Sequence, residues 1–476
     1  MTETSDNAPK PLWTHRTLAS VCDGEIDGTP IAPITGISID TRTLQPGDLF
    51  VALTDQRDGH AYLPAAFQAG ASAALVAKTY VRNAGDGVLI RVEDPLRALE
   101  DAGRSARFRA DAKIVAVTGS VGKTGTKEML RACLSRTGHT HASEKSYNNH
   151  WGVPLTLARM PVETHYGVFE IGMNRPGEIG PLARMVAPDV GVITTVAPVH
   201  LAQFKSVTEI AEAKAELLTG LSSGGTAILN RDNHYFDLLS VRADERSLRI
   251  VGFGHHKDAD VRLETAEVSD TGSVITAHVH GRRITYRIGA PGNHYVMNSL
   301  AVIAAIDALG ADLEVCLPAL AGISPPPGRG ARSEITVGNG KLLLIDESYN
   351  ANPASMAAAL ANLGVVPRGQ YPRRIAVIGD MRELGSEADA LHRGLKDAID
   401  AAGIDLVFAC GEHMRTLYDL IANDRRGAYA RTSLELVPLL AARLAAGDAV
   451  TVKGSLGTNM APLVKVVRDA GTNPNG

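Results

Sequence analysis

The stretch IVAVTGSVGKTGTKEM, Ile114–Met129, decides the fold class of this chain. Its apolar start is typical of a strand that is buried on both faces of a parallel sheet, and a helix is predicted from Lys123 onward. A glycine-rich turn between such a strand and helix points backbone N–H groups at an anion, and the helix dipole adds to the attraction. Lys123 can then reach a phosphate, and the hydroxyl of Thr124 can bind Mg²⁺. The stretch therefore predicts a phosphate-binding loop in an α/β domain.

This loop is shorter than the generic phosphate-binding loop, G-x-x-x-x-G-K-[ST]. The position five residues before Gly122 is Val117 rather than glycine, so the motif is T-G-x-x-G-K-T with its first glycine at Gly119. NTPases that act as motors or switches should carry the generic glycine, and its absence argues against that class. An accidental glycine-rich turn is disfavoured by the strand before it, the helix after it and the intact GKT.

Strand-like and helix-like segments alternate on both sides of this stretch, which predicts α/β domains with parallel sheets. Residues 261–288 change to alternating strands with glycine turns, which predicts a small antiparallel insert. PPPGRG, Pro325–Gly330, cannot lie inside a helix and is interpreted as a linker. We therefore expect three domains: a small N-terminal α/β domain at 1–110, a central doubly wound parallel sheet at 111–324, and a Rossmann-like C-terminal α/β domain at 325–476.

The composition is that of a globular protein, with 45% hydrophobic and 21% charged residues among 476. A formal net charge of −4 argues against a general nucleic-acid-binding surface but permits a local anion site. The chain begins without an apolar signal core, and no apolar run approaches the roughly 20 residues that span a bilayer, so a soluble cytoplasmic protein is expected. No disulfide framework or cysteine zinc site is expected, because the four cysteines are far apart: Cys22, Cys133, Cys316 and Cys410.

Polar residues follow several other predicted strands. Ligands of open α/β sheets bind at the carboxyl ends of strands, so Glu170 is a candidate to hold a phosphate-bound Mg²⁺. His200 follows the next strand, and Lys214 lies on the following helix. From the residues alone, a surface glutamate, a loop histidine and a solvated lysine are the alternatives at these three positions. Asp346–Met356 and Lys453–Ser455 place polar residues after two later strands, which indicates a second face of an active site.

With these motifs in order along the whole chain, the sequence resembles the Mur ligase family, ATP-dependent amide-forming enzymes of peptidoglycan precursor synthesis. The resemblance is carried by the T-G-x-x-G-K-T loop, the His200-to-Lys214 spacing, NNHWGVP at Asn148–Pro154 and the E-x-G at Glu170–Gly172. It implies a cytoplasmic ligase, with a role in cell wall biogenesis, cell shape and cell division, that acts as a monomer with ATP and Mg²⁺.

One branch of the family fits better than the others. DESYNANPASM (Asp346–Met356) and IGDMRELG (Ile378–Gly385), followed by His392, resemble the branch that joins D-alanyl-D-alanine to UDP-N-acetylmuramoyl-tripeptide through an acyl phosphate. SIDTRTLQPGDLFVAL with Asp58–His60 resembles a uridine-nucleotide-binding domain, which folylpolyglutamate synthetases lack. The sister ligase that adds diaminopimelate or lysine as third residue is the alternative. A non-enzymatic nucleotide-sugar-binding protein is disfavoured by the intact phosphate-loop residues and Glu170.

The resemblance implies a set of site residues. The implied catalytic residues are Lys123, Glu170, His200 and Lys214. The implied ATP-binding residues are Thr118, Gly119, Ser120, Val121, Gly122, Lys123, Thr124, Gly125, Asn298, Arg329, Asp346, Tyr349 and Asn350. The implied contacts to the UDP-linked substrate are Ser38, Asp40, Thr41, Arg42, Asn148 and Asn149. Thr124 and Glu170 would hold one Mg²⁺ and His200 a second metal, while Lys214 matches the lysine that is carbamylated in several members.

The chain departs from the family at one loop. The usual K-G-S-R-S pattern is K-G-S-L-G here, Lys453–Gly457, so an arginine and a serine are missing. Any contact that those two side chains make to substrate must be replaced or absent.

Overall fold

The computed structural model describes residues 11–144, 146–199 and 201–471. They form three α/β units, built on sheets of five, nine and six strands. The predicted fold class, three α/β domains with largely parallel sheets, is confirmed. Among the described residues, no helix combines the length and the apolar character that crossing a bilayer requires.

The N-terminal unit is a small twisted sheet with a long helix leading out of it. Its elements are α1 (His15–Val21), β1 (Glu25–Asp27), β2 (Gly36–Ser38), β3 (Asp48–Val51), α2 (Leu63–Gln68), β4 (Ala73–Ala77), β5 (Leu89–Val92) and α3 (Pro95–Arg109). The strand order is β1-β5-β4-β3-β2, with β1 antiparallel to β5 and the other neighbours parallel. Helix α3 begins where the Asp94 carboxylate accepts hydrogen bonds from two backbone N–H groups of the first turn.

The central unit contains the largest sheet. Its elements are β6 (Lys113–Thr118), α4 (Lys123–Leu134), β7 (Thr140–Ala142), α5 (Gly152–Ala158), β8 (Tyr166–Glu170), α6 (Ile179–Val186), β9 (Val190–Ile193), α7 (Val207–Ala215), β10 (Thr226–Asn230), α8 (Phe236–Asp244), β11 (Arg249–Gly254), β12 (Val261–Ser269), β13 (Gly272–Val279), β14 (Arg282–Ile288), α9 (Asn293–Ala308) and α10 (Leu313–Cys316). The strand order is β14-β13-β12-β11-β10-β9-β6-β8-β7.

The expected antiparallel insert at 261–288 is present and continues the main sheet. Strand β12 pairs in parallel with β11 through Val261 and Arg262, and then leads into two antiparallel hairpins, β12–β13 and β13–β14. Helix α9 packs over this part of the sheet. Most residues of α9 are buried. A helix that is enclosed by other elements is apolar on nearly every side, and α9 follows this rule.

The C-terminal unit is a second, separate α/β sheet. Its elements are β15 (Ala331–Val337), β16 (Gly340–Glu347), α11 (Pro353–Gly364), β17 (Arg373–Gly379), α12 (Ala388–Arg393), α13 (Leu395–Ala401), β18 (Leu406–Cys410), α14 (Met414–Tyr418), β19 (Arg426–Ala430), α15 (Ser433–Ala441), β20 (Asp448–Lys453) and α16 (Ala461–Arg468). The strand order is β15-β16-β20-β17-β18-β19, and only β15 is antiparallel to its neighbour.

Strand order places the candidate site. In the central sheet β6 lies between β8 and β9, and the order of strands along the chain reverses there. Such a reversal opens a crevice at the carboxyl ends of the strands, where ligands of α/β sheets bind. In the C-terminal sheet β16, β20 and β17 are neighbours, so their carboxyl ends also meet at one edge. A single cleft is lined by residues from both edges.

Candidate active site

The phosphate loop lies between β6 and α4, as predicted. Gly119 and Gly122 have φ of +151° and +89°, a backbone region that residues with a side chain rarely adopt. A Cβ at Gly119 would lie 1.9 Å from Thr194 Oγ1, and one at Gly122 would lie 2.6 Å from Asn298 Oδ1. Both glycines are therefore required by conformation and by space. Gly122 is the N-cap of α4, so the free N–H groups of that helix open toward the cleft.

Lys123 is held at the start of α4 with its amine over the loop. Its Nζ donates a hydrogen bond to the carbonyl of Gly119 at 2.7 Å. Burial lowers the pKa of this amine, the Glu170 carboxylate opposes that shift, and Arg329 adds to it. The ammonium has only a carbonyl as a partner here, so it would gain a stronger, charge-assisted hydrogen bond when a phosphate binds.

Glu170, at the end of β8, is buried and bonded on both carboxylate oxygens. Its side chain is 1% exposed. Thr124 Oγ1 donates to Oε2 at 2.9 Å, and Asn148 Nδ2 donates to Oε1 at 2.7 Å. The alternative of a surface glutamate is therefore wrong. The Thr124–Glu170 pair brings a hydroxyl and a carboxylate to the foot of the phosphate loop, which is an oxygen set that Mg²⁺ accepts.

Lys214 lies on α7 and is only 2% exposed. Among the described residues, none accepts a hydrogen bond from its amine. Burial holds its pKa well below the usual lysine range, and the positive charge of Lys123 lowers it further. The alternative of a solvated helix lysine is therefore wrong, since the side chain is buried and its surroundings disfavour the charged form. His200 lies outside the described residues.

The cleft between the central and C-terminal sheets has a volume of about 660 Å³. It gathers most of the predicted ATP-binding residues: Ser120, Val121, Gly122, Lys123, Thr124, Gly125, Asn298, Arg329, Tyr349 and Asn350. Asn148, Asn149 and Glu170 line it as well. Thr118, Gly119, Asp346 and Lys214 do not line it.

The linker lies across one side of this cleft. The guanidinium of Arg329 stacks on the ring of Tyr349 at 4.1 Å and donates to Ser146 Oγ at 3.1 Å. Asp346 faces away from the cleft and into its own unit. Its carboxylate accepts from Ser348 Oγ at 2.6 Å and from Arg468 Nη2 at 3.1 Å. The structure thus gives Asp346 partners within the C-terminal unit rather than in the cleft.

The residues predicted to contact a UDP-linked substrate fall into two groups. Asn149 orders the turn that leads into α5, because its Oδ1 accepts from the backbone N–H of Gly152 at 2.9 Å. The second group lies at the end of β2 and in the loop after it, outside the 660 Å³ cleft, and consists of Ser38, Asp40, Thr41 and Arg42. In it, Arg42 Nη2 and Nε donate to the Asp40 carboxylate at 2.6 Å and 2.9 Å.

A model of the Mur ligase middle domain matches residues 117–306, and a model of the Mur ligase, glutamate ligase domain, matches residues 331–456. The UDP-N-acetylmuramoyl-tripeptide–D-alanyl-D-alanine ligase of Rickettsia prowazekii is 32% identical over 95% of this chain and 99% of its own length. The chain belongs to the Mur ligase family.

Solved structures agree with this Mur ligase assignment. MurF from Acinetobacter baumannii superposes with a TM-score of 0.82 at 28% identity, over 97% of this chain and 99% of that one. MurF ligase from Thermotoga maritima, solved in complex with ADP, shares the fold with a TM-score of 0.75 at 23% identity, over 91% of this chain and 97% of that one. The family expected from the sequence is confirmed.

In this Mur ligase the cleft also contains Lys453, which the sequence placed on the second face of the site. Lys453, at the end of β20, is 3% exposed and donates to the carbonyl of Asn350 at 2.9 Å, with Glu347 Oε2 at 3.4 Å. Burial lowers the pKa of the Lys453 amine, and the Glu347 carboxylate opposes that shift. Glu347, inside the predicted Asp346–Met356 segment, ends β16, and Arg382 follows β17; both line the same cleft. Arg382 was not among the site residues expected from the sequence. Its position after a strand was the available signal, but nothing local distinguishes it from other strand-end charges.

Proposed function

We propose that this chain is the Mur ligase that joins D-alanyl-D-alanine to UDP-N-acetylmuramoyl-tripeptide, with conversion of ATP to ADP and phosphate. The activity predicted from the sequence is confirmed by full-length relatives that bear it as their name, the Rickettsia prowazekii enzyme among them. The observation that carries the proposal within this chain is the cleft itself. It sets the phosphate loop and Glu170 opposite a second group of charges, Arg382 and Lys453, on the C-terminal sheet.

The chemistry requires two anions to meet. A carboxylate is a poor acyl donor, so the γ-phosphoryl group of ATP passes to the terminal carboxylate of the tripeptide, and ADP leaves. The amine of D-alanyl-D-alanine then attacks the acyl carbon, loses a proton, and phosphate leaves as the amide forms. Catalysis here is a matter of position and electrostatics. The N-terminus of α4 and Lys123 are proposed to bind the β- and γ-phosphates, since both present donors to the cleft.

The remaining ATP contacts are proposed from position. Asn298 lies against the phosphate loop, so its amide is placed to contact the nucleotide beside Gly122 and Gly125. The Arg329–Tyr349 stack crosses the same cleft and supplies a cation and a ring. Asp346 is proposed to act indirectly, by fixing the end of β16 through Ser348 and Arg468.

The residues fit Mg²⁺ at one place. Mg²⁺ in nucleotide enzymes is held by one or two carboxylates together with substrate phosphates, and Thr124 with Glu170 supplies that oxygen set. Within the described part of the chain, no three histidine, cysteine, aspartate or glutamate side chains form a metal cluster of their own. When bound, the ion neutralises the charge that develops on the transferred phosphoryl group. His200, proposed for a second metal, lies outside the described residues.

Lys214 is proposed to work as a carbamate. A neutral amine attacks carbon dioxide and an ammonium does not, and burial shifts the pKa of the Lys214 amine toward the neutral form. After loss of a proton the product is an anion, so the positive charge of Lys123 that disfavours an ammonium at Lys214 stabilises the carbamate. This change would give Lys214 a role that a free ammonium in that place cannot have.

The three units are proposed to bind one ligand each. Residues 1–110 would hold the UDP-sugar through Ser38, Asp40, Thr41 and Arg42, residues 111–324 ATP, and residues 325–476 the dipeptide. Arg42 is held by Asp40 yet remains exposed, which leaves donors for a diphosphate. An Arg42→Ala variant should raise the KM for UDP-tripeptide and leave the KM for ATP unchanged.

The test of the function is phosphate release from ATP by the purified chain with UDP-tripeptide. We expect turnover with D-alanyl-D-alanine and none with free diaminopimelate or lysine. Turnover only with a single amino acid on the corresponding dipeptide precursor would show the sister ligase instead. Lys123→Ala should lower turnover by about 100-fold or more. Lys396→Ala is the matched control, because Lys396 is an exposed lysine paired with Asp400.

A further inference from the structure

The loop after β17 places one arginine directly over the divergent Lys453–Gly457 loop. The backbone N–H of Arg382 donates to Ser455 Oγ at 2.9 Å, which ties the two loops together. A Cβ built on Gly457 would lie 3.1 Å from Nε and 3.2 Å from Cζ of Arg382. Arg382, Leu456 and Gly457 all line the cleft. The guanidinium therefore occupies the space that a side chain at position 457 would take.

Arg382 differs from the other cations of the cleft. Lys123 donates to the carbonyl of Gly119, Arg329 to Ser146 Oγ, and Lys453 to the carbonyl of Asn350. Within the described part of the chain, the Arg382 guanidinium has neither an acid partner nor a hydrogen-bond acceptor. An exposed guanidinium in a cleft, with its five donors unused, is a site for a carboxylate or phosphate.

The neighbouring loop lacks the arginine that its family pattern carries. In K-G-S-L-G that position is Leu456, which is 69% exposed and offers no donor. Arg382 reaches the same loop from an adjacent strand end, and glycine at position 457 leaves it room. The cation missing from one loop is thus supplied by the other.

We propose that the Arg382 guanidinium binds the free carboxylate of the incoming D-alanyl-D-alanine and so fixes which end of the dipeptide faces the acyl phosphate. The inference rests on the proposed function, since it assigns a site for one of its substrates. Only the amine of the dipeptide reacts, so its carboxylate must be held elsewhere. Arg382 belongs to the C-terminal sheet, across the cleft from the phosphate loop, where a ligand separate from ATP is required.

The test is steady-state kinetics of Arg382→Ala with each substrate varied in turn. We expect the KM for D-alanyl-D-alanine to rise about 10- to 100-fold, with the KM values for ATP and UDP-tripeptide nearly unchanged. Arg382→Lys should recover part of the loss, because it keeps the charge but not the two-pronged geometry. Arg393→Ala, an exposed arginine on α12 outside the cleft lining, is the control and should behave as wild type.

A second arm identifies the carboxylate. The wild type should strongly prefer D-alanyl-D-alanine over its carboxamide, and Arg382→Ala should use the two almost equally. Adding Leu456→Arg to Arg382→Ala should restore part of the preference, since the cation returns to the same place. An unchanged dipeptide KM, or a rise confined to UDP-tripeptide, would overturn the assignment. Failure of the wild type to use the dipeptide at all would instead refute the proposed function, so the two failures are distinguishable.

Discussion

His392 holds the loop that carries Arg382. Its Nε2 accepts a hydrogen bond from the backbone N–H of Met381 at 3.0 Å, and its Nδ1 donates to the carbonyl of Ala388 at 2.6 Å. The ring is fully buried. With Nδ1 bonded to a carbonyl, the proton is placed there, and Nε2 accepts only while the ring is neutral. The imidazole thus fixes the backbone immediately before Arg382.

Stability should therefore decline in mild acid through His392. Burial is the main cause that lowers its pKa below the usual histidine value of about 6.5; the hydrogen bond to the Ala388 carbonyl and the nearby aspartates oppose that shift, and His413 adds to it. Between that lowered pKa and about 6.5 the unfolded chain binds more protons than the folded one, so the free energy of unfolding decreases as pH falls through this window. Above about pH 6.5 the full stabilising contribution of neutral His392 is present. Denaturant unfolding at a series of pH values measures it.

His392→Gln is the informative variant for this prediction. Its side-chain carbonyl can still accept from Met381, but it cannot be protonated in this range. We expect a smaller loss of stability between about pH 7 and about pH 5 than in the wild type. Three other histidines, His15, His141 and His294, have pKa values lowered mainly by burial, so part of the decline should remain. An identical slope in both proteins would contradict the role of His392.

The second prediction concerns the phosphate loop. Gly119→Ala would place a Cβ 1.9 Å from Thr194 Oγ1, a hydroxyl that already donates to the carbonyl of Val121 at 2.6 Å. We expect the free energy of unfolding to fall by about 2–3 kcal/mol, with ATP binding lost as the loop shifts. Gly177→Ala is the matched control, because its φ is also positive but nothing lies within 4 Å of the new Cβ. Gly177→Ala should lower the free energy of unfolding by about 1–2 kcal/mol. Equal losses in the two variants would show that the close approach of Thr194 to Gly119 has no effect on stability.

The sequence predicted the parts of the site that local pattern determines. A strand, a glycine turn and a helix are contiguous, so the loop around Lys123 and the carboxylate at the end of β8 could be placed without the fold. The sequence assigned Asn148 and Asn149 the same expected role, and only the structure separates them: Asn149 orders the turn before α5, whereas Asn148 bonds Glu170. Arg382 over Gly457 depends on two strand ends more than seventy residues apart becoming neighbours. No local pattern carries that information.

The third prediction concerns the Thr124–Glu170 pair. Glu170→Gln keeps the shape of the side chain and its place between Thr124 and Asn148 but removes the charge. We expect activity to fall by about 100-fold and the Mg²⁺ concentration for half-maximal rate to rise, while the melting temperature changes little. Thr124→Ser retains the hydroxyl and should keep the Mg²⁺ requirement of the wild type, whereas Thr124→Val should raise it. A normal Mg²⁺ dependence in Glu170→Gln would remove that carboxylate from the metal site.

The fourth prediction is that Lys214 reacts with carbon dioxide. Burial and the positive charge of Lys123 both disfavour an ammonium at Lys214, whereas a carbamate there would be attracted to Lys123. After incubation with ¹³C-bicarbonate, the wild type should give a carbamate carbon signal by NMR that Lys214→Met lacks. Lowering the pH should remove the signal, because carbamates decompose in acid. Activity should depend on added bicarbonate in depleted buffer, and full activity there without any carbamate signal would show that Lys214 acts as a plain amine.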